Sequence, residues 1–238
     1  MASGAELARK VVQDVSSDDL DKWVRSSTLT NEVEESVRGH IHQELTSWMF
    51  FRKLAADCFR TNISLHGYGM LWERCARECL IDMHWLEKYL VARGGRCKPT
   101  AIEATQIEWP DHPIEPLGPC MEAFRVQKKL IDDIVRLIAL ADKCEDASLS
   151  DALQTRFLRK HTRQVKNMGD LLQQTARVSK QPGVGLYHLD KELRCHKGII
   201  PWTSTNDPDC QDKGMEEVTS LISEGLVLEG KTAQHGHK

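Results

Sequence analysis

The chain has no apolar run approaching the roughly 20 residues a membrane-spanning helix needs, so no helical membrane anchor is expected. It also lacks a strong charge of either sign. Its 32 Lys and Arg against 35 Asp and Glu leave a net charge of -3. That balance supplies no electrostatic reason to bind nucleic acid or an anionic membrane surface. The first residues carry Glu6, Asp14, Asp18 and Asp19 and no compact apolar segment. Neither a secretory signal nor an acid-poor transit peptide is expected, and the cytoplasm is the expected compartment. The eight cysteines include no close Cys-x-x-Cys pair. Cys58, Cys75 and Cys79 fall inside predicted helices and Cys144 ends another, which favours free thiols over a disulfide framework. No internal repeat is evident at a period of about 20–50 residues.

What is present is helical periodicity. With 238 residues the chain can bury a sizeable core, and one domain with tails is the natural organisation. Residues 1–30 read as a polar, flexible arm. From Asn31, the residues Val33, Val37, Ile41, Trp48, Phe51 and Ala55 draw one stripe down a helix. Asn62 to Gly69 reads as a break. A second stripe follows through Trp72, Cys75, Cys79, Met83, Leu86 and Leu90, stopped by Gly94-Gly95. Residues 97–119 hold five of the eight prolines and are expected to be non-helical.

The length of that segment matters. A helix of about 27 residues is roughly 40 Å long. An extended segment of about 20 residues reaches up to about 66 Å. The connection can run back along the whole bundle and leave the second and third helices parallel, as long-crossover four-helix bundles do. The third stripe is Phe124, Leu130, Ile134, Leu137, Ala141. The fourth is Leu153, Phe157, Val165, Met168, Leu172. A short helix spans Leu186 to Leu193. Residues 195–238 form a polar extension expected to be largely disordered, with one weak helix between Glu216 and Leu228. Its Cys210, His235 and His237 do not have zinc-finger spacing.

Each stripe carries one polar interruption: Glu44, Asp82, Gln127 and His161. Burying an unpartnered carboxylate costs several kcal/mol, so an acid in a stripe implies a partner. Inward polar residues on facing helices are also how metal sites are built in bundles. Both a hydrogen-bonded polar layer and a metal site remain open at this point.

From about Asn31 to Arg194 the sequence resembles a ferritin subunit. The resemblance rests on His42-Gln43-Glu44-Leu45, Arg93-Gly94-Gly95-Arg96, Val165-Lys166-Asn167-Met168-Gly169-Asp170 and Tyr187-His188-Leu189-Asp190-Lys191, in that order along helices of matching length. It implies an all-α, ferritin-like four-helix bundle with a long crossover between helices 2 and 3 and a short fifth helix. It also implies assembly into a hollow 24-mer shell, as a homo- or hetero-oligomer with other ferritin chains. Carried over position by position, the family's di-iron ferroxidase centre is degenerate here. The first-helix glutamate is Glu44, but Phe51 stands for a tyrosine, Cys79 for the bridging glutamate and Asp82 for a histidine. Gln127 stands for a glutamate and His161 for a glutamine. At the positions of the mineral-nucleating cluster Glu73 and Glu78 remain, among Met70, Arg74, Arg77 and Ile81. Of the acidic pair where iron enters along the threefold axis, Asp151 remains and Gln154 replaces its partner. Val184, His188 and Glu192 take the positions that line the fourfold axis.

Two irons need anionic bridges to offset their charge, and this ligand set has lost them. The resemblance therefore implies a subunit for intracellular iron storage and homeostasis, without catalytic residues of its own and structural within a mixed shell. One alternative is a ferroxidase with rearranged ligands; another is an interaction protein with this fold and no iron handling. Stored ferric mineral is the expected cargo. Any metal held within the bundle is expected to be a single zinc-like ion on Glu44, Asp82 and His161, with or without Cys79, the alternative being a metal-free polar layer.

Overall fold

Described in a computed structural model are residues 4–17, 20–98, 101–102, 115–180 and 183–206. Two N-terminal helices, α1 (Gly4–Ser17) and α2 (Asp21–Val24), precede the first long one. That helix, α3 (Asn31–Cys58), starts where Thr30 turns extended and its hydroxyl accepts from the Val33 N–H at 3.2 Å. Such a cap satisfies one of the orphan donors of the first turn. α4 (His66–Ala92) follows a short loop, and α5 (Leu117–Lys143) begins beyond the crossover. The fourth long element is continuous but composite: α6 (Ala147–Ala152), a π-helical stretch Leu153–Leu158, and α7 (Arg159–Val178). α8 (Val184–Cys195) is the short fifth helix. Every regular element among the described residues is helical, which bears out the expected class.

Two apolar clusters fix the helix directions. One joins the end of α3 (Phe51, Leu54) to the start of α4 (Leu71, Trp72), the start of α5 (Cys120, Ala123) and the end of α7 (Met168, Leu171). The other joins the start of α3 (Val33, Val37) to the ends of α4 (Leu86, Leu90) and α5 (Leu137, Ala141), with Leu149 and Leu153. α3 and α4 are thus antiparallel, α4 and α5 parallel, and α5 and α7 antiparallel. The long crossover read from the sequence is required by this arrangement. Each fully buried leucine or phenylalanine contributes roughly 1.5–3 kcal/mol, so the two clusters supply most of the drive for association of the helices.

The structure corrects several local readings. The break runs only from Phe59 to Leu65, because Gly67 and Gly69 belong to α4. They serve packing: a Cβ on Gly67 would lie 1.9 Å from the Asp190 carbonyl oxygen, and one on Gly69 would lie 2.6 Å from the Phe59 ring. Pro119 lies in the first turn of α5, where an absent N–H costs nothing. Trp48, Phe124, Val165 and Leu172 are only half-buried, while Ser47, Ala123, Leu171 and Thr175 take the inward positions.

Both tails contact the bundle. Arg93 donates to the Ser26 and Thr28 hydroxyls at 3.2 and 2.8 Å, which ties the segment before α3 to the end of α4. Beyond α8 the chain turns back through Gly198, at φ 75°, where a Cβ would lie 2.4 Å from the Met70 carbonyl. Ile200 is buried, and the Asn206 amide donates to Asn167 and Asp170, each at 2.8 Å. Most of the crossover, the segment Glu216 to Leu228, Cys210, His235 and His237 lie outside the described residues. No described helix is long and apolar enough to cross a membrane. Seven of the cysteines are free thiols.

Candidate metal centre

The four polar interruptions are all buried. Three of them meet: α3 supplies Glu44, α4 supplies Asp82 and α7 supplies His161, with one ligand atom of each within 4.8 Å of the others. His161 Nε2 lies 3.8 Å from Glu44 Oε1 and 3.7 Å from Asp82 Oδ2. A fourth group, missed by sequence reasoning, lies against the Glu44 side of this cluster. His40, one turn before Glu44 on α3, places Nε2 3.6 Å from Glu44 Oε1 and is equally buried. Its signal was available, because residues four apart on a helix share a face and Glu44 was already read as inward. Phe157 lies beside both rings, edge-on to that of His40 and stacked with that of His161, both at 6.5 Å between centroids.

The remaining family positions go elsewhere chemically. Phe51 stacks on Trp72 at 5.9 Å and belongs to the apolar core. Cys79 is buried beside Glu44, and burial together with that neighbour pushes its thiol well above the usual range. A thiol must be deprotonated to ligate a metal, so Cys79 is a poor ligand as placed. Gln127 is buried with its Oε1 unpartnered, and it lines a cavity of about 520 Å³ together with Arg74, Glu78, Asp82, Arg156 and Lys160.

A second residue unforeseen from sequence is Lys160, whose ammonium donates to Asp82 Oδ2, the oxygen that faces His161. Burial pushes Asp82 upward, but His161 and Lys160 outweigh it and hold the carboxyl below its ordinary value. Glu44 goes the other way: burial, then repulsion from Asp82, raises it to about 8. Burial lowers His40 to about 4 and lowers His161 as well. Near neutral pH the ion-free centre therefore holds one charge pair, a protonated Glu44 and two neutral imidazoles. No side-chain polar atom of His40, Glu44 or His161 has a partner at full hydrogen-bond distance; their contacts among themselves and with Asp82 stand just beyond it, at 3.6–3.8 Å. Unpaired buried groups cost about 1–3 kcal/mol each, so this is an expensive arrangement unless something fills it. Neutral imidazoles and carboxylates are ordinary ligands of zinc-like and iron ions, and the donor set fits a single ion. A second ion would find no carboxylate at the Cys79 or Gln127 positions.

The other candidate positions lie apart from this centre. Glu73 and Glu78 are each engaged by an arginine one turn away, Arg77 at 4.0 Å and Arg74 at 3.2 Å. Asp151 and Gln154 are exposed near the start of the composite helix, and the Gln154 amide donates to Ser150 at 2.9 Å. Val184, His188 and Glu192 are exposed along one face of α8.

Comparison with known proteins gives a consistent result. A family model described as a ferritin-like domain matches residues 36–178. The chain is similar to the chloroplastic ferritin-3 of Arabidopsis thaliana, with 27% identity over 164 residues, 68% of this chain and 62% of that protein. It is similar to a chloroplastic ferritin of Malus baccata var. xiaojinensis, with 25% identity over 164 residues, 68% of this chain and 65% of the other. With the soma ferritin of Lymnaea stagnalis it shares 27% identity over 165 residues, 68% of this chain and 90% of that one. The chain thus spans less than two thirds of the length of the two plant proteins.

Proposed function

The chain belongs to the ferritin family, and from that premise we propose that it is a subunit for intracellular iron storage and homeostasis that does not oxidise iron itself. It serves as a structural member of a mixed, cytoplasmic 24-mer shell, in which partner chains oxidise Fe(II) and ferric mineral is the cargo. The observation that carries this reading is the Lys160–Asp82 ion pair inside the centre. An ammonium already neutralises one of the two carboxylates, and burial favours the neutral form of the other. Two irons in turnover need bridging anions and open coordination positions, and this constellation offers neither. Glu44, Asp82 and His161 instead suit one zinc-like ion. Asp151 and Gln154 remain the candidates for the route by which iron enters, and Glu73 and Glu78 for mineral nucleation. The pairing of both glutamates with arginines weakens that second role.

The test is oxidation of Fe(II) by dissolved oxygen with the isolated protein. The expected rate equals that of buffer. Saturable oxidation that disappears in Glu44→Ala overturns the reading in favour of a ferroxidase with rearranged ligands. Co-assembly with an oxidation-competent ferritin chain, followed by particle sizing and iron content, tests the structural role. Failure to enter such shells favours an interaction protein that does not handle iron.

A further inference from the structure

Six polar atoms without a hydrogen-bond partner converge at one level of the bundle, on His40, Glu44 and His161. Their spacing is specific. The His40–Glu44, His161–Glu44 and His161–Asp82 atom pairs stand 3.6, 3.8 and 3.7 Å apart. An ion bound tetrahedrally at about 2.0–2.1 Å per ligand sets its ligand atoms roughly 3.3 Å apart. The separations of His161 from Glu44 and Asp82 close to that with shifts of a few tenths of an ångström, while His40, placed against Glu44 at 3.6 Å, completes the set by a swing of its ring toward the other two. The four groups come from three helices, and the Phe157 ring stands beside both imidazoles. Lys160, adjacent to His161 in the chain, occupies the carboxylate side.

Resting on the single-ion reading above, we propose that His40 is the fourth protein ligand of a closed site made by His40, Glu44, Asp82 and His161. Lys160 is a tethered cation that holds Asp82 when the ion is absent. The site has a structural character: four protein ligands leave no open position for oxygen or water, which is how structural zinc sites differ from catalytic ones. It pins α3, α4 and α7 together at mid-bundle. Lys160 sets the threshold for occupancy, because an incoming ion must displace its ammonium from Asp82 Oδ2. The ion and the lysine are mutually exclusive partners of one carboxylate.

The experiment titrates zinc into the chelator-stripped, full-length protein, with affinity measured by competition against a chromophoric chelator and ligand identity by zinc X-ray absorption. The expected wild-type result is one zinc per chain with two imidazoles and no sulfur. His40→Ala weakens binding by roughly 100-fold, at least what loss of an outer partner costs. Lys160→Met tightens it by roughly tenfold, the scale of a direct coupling between two ligands of one group. A single imidazole in the wild-type spectrum overturns the proposal even if His40→Ala does not fold. So does unchanged affinity in folded His40→Ala or in Lys160→Met, while the single-ion reading survives either result. Zinc bound by no variant, Lys160→Met included, or two ions per chain, removes both.

Discussion

Two buried polar clusters sit at different levels of the same bundle, and only one of them is finished. Around Arg93, at the end of α4, every group finds a hydrogen-bond or ion-pair partner, Asp146 Oδ2 only the latter. The guanidinium pairs with buried Asp146 at 2.7 Å and also donates to Ser26, Thr28 and Tyr89. Asp146 in turn caps α6 by accepting from the Leu149 N–H at 3.2 Å. Nearby, Glu34 accepts from the Arg96 N–H at 2.9 Å and pairs with Arg25 and Arg38. At mid-bundle, His40, Glu44 and His161 are just as buried and have no hydrogen-bond partner. A satisfied network rigidifies a fold, whereas an unsatisfied one at equal depth calls for an explanation, of which a bound ion is one. The Arg93 cluster is architecture, and the Glu44 cluster is where the proposed ion would sit.

The largest difference between them should appear on breaking each. Arg93→Ala strands the fully buried Asp146 carboxylate, and removing one partner of a buried pair costs about 3–5 kcal/mol. Denaturant titration should show that loss with or without zinc. Glu44→Gln, measured without metal, should cost far less, because the carboxyl it replaces is already neutral near pH 7. Equal losses in the two variants would erase the distinction.

The pH response should separate the clusters by sign. Glu44 is raised from 4.5 to about 8, so in the metal-free protein it favours the folded state fully below 4.5 and loses that advantage as pH rises through about 8. His40 and His161, both lowered from 6.5, act in the opposite sense below that pH. Between pH 6.5 and 8 the Glu44 effect is the largest within the centre, about 2 kcal/mol by linkage, opposed by the small remainder of the two histidines. Glu34 behaves conversely. Burial pushes it upward, but the Arg96 N–H, Arg25 and Arg38 hold it below 4.5. Its stabilisation is present above 4.5 and is lost as pH falls through its folded value. Denaturation of chelated wild type and Glu44→Gln at pH 6.5 and 8 should show a steeper loss in wild type. Parallel behaviour would place a charged Glu44 in the folded protein.

A smaller effect tests how far local reading of the sequence can go. Asp190 Oδ1 accepts from the Gly67 and Tyr68 N–H groups at 2.8 and 3.1 Å, so a residue of α8 caps the start of α4. Asp190→Ala should cost about 0.5–2 kcal/mol, the worth of a cap, and should loosen α8 in hydrogen exchange. Protection of α8 unchanged from wild type would make the cap incidental.

That contact also explains what the sequence concealed. Gly67 and Gly69 read as a break because glycine weakens an isolated helix by about 1 kcal/mol relative to alanine. The reason they are required lies on Asp190 and on the Phe59 ring, and no local pattern contains it. The four stripes and the crossover were legible because they depend on helical period and chain length alone. So were Glu44, Asp82, Gln127 and His161, each the polar exception in an apolar row. His40 lay one turn from Glu44 but sat beside the row instead of in it. Lys160 was hidden by its own length: it flanks an inward histidine, and only a four-carbon stem brings its charge back to Asp82.

The finest test concerns Cys79, which shares the depth of the mid-bundle centre and, on this geometry, none of its chemistry. A zinc thiolate gains its strength from full deprotonation, and the cost of that step rises with burial and with nearby negative charge. Cys79 has both against it: it is buried and lies beside Glu44, whose carboxylate the ion itself would call into being. An ion served by two imidazoles and two carboxylates gains nothing from a fifth donor obtained at that cost. Cys79→Ser should therefore leave zinc affinity within about threefold of wild type, a difference of well under 1 kcal/mol. In the native protein, alkylation should reach exposed Cys97 and Cys195 while sparing Cys79. A sulfur neighbour near 2.3 Å in the zinc absorption spectrum, the distance of a zinc thiolate, would show the opposite. The thiol would then belong to the centre, and the closed set of two imidazoles and two carboxylates would be wrong.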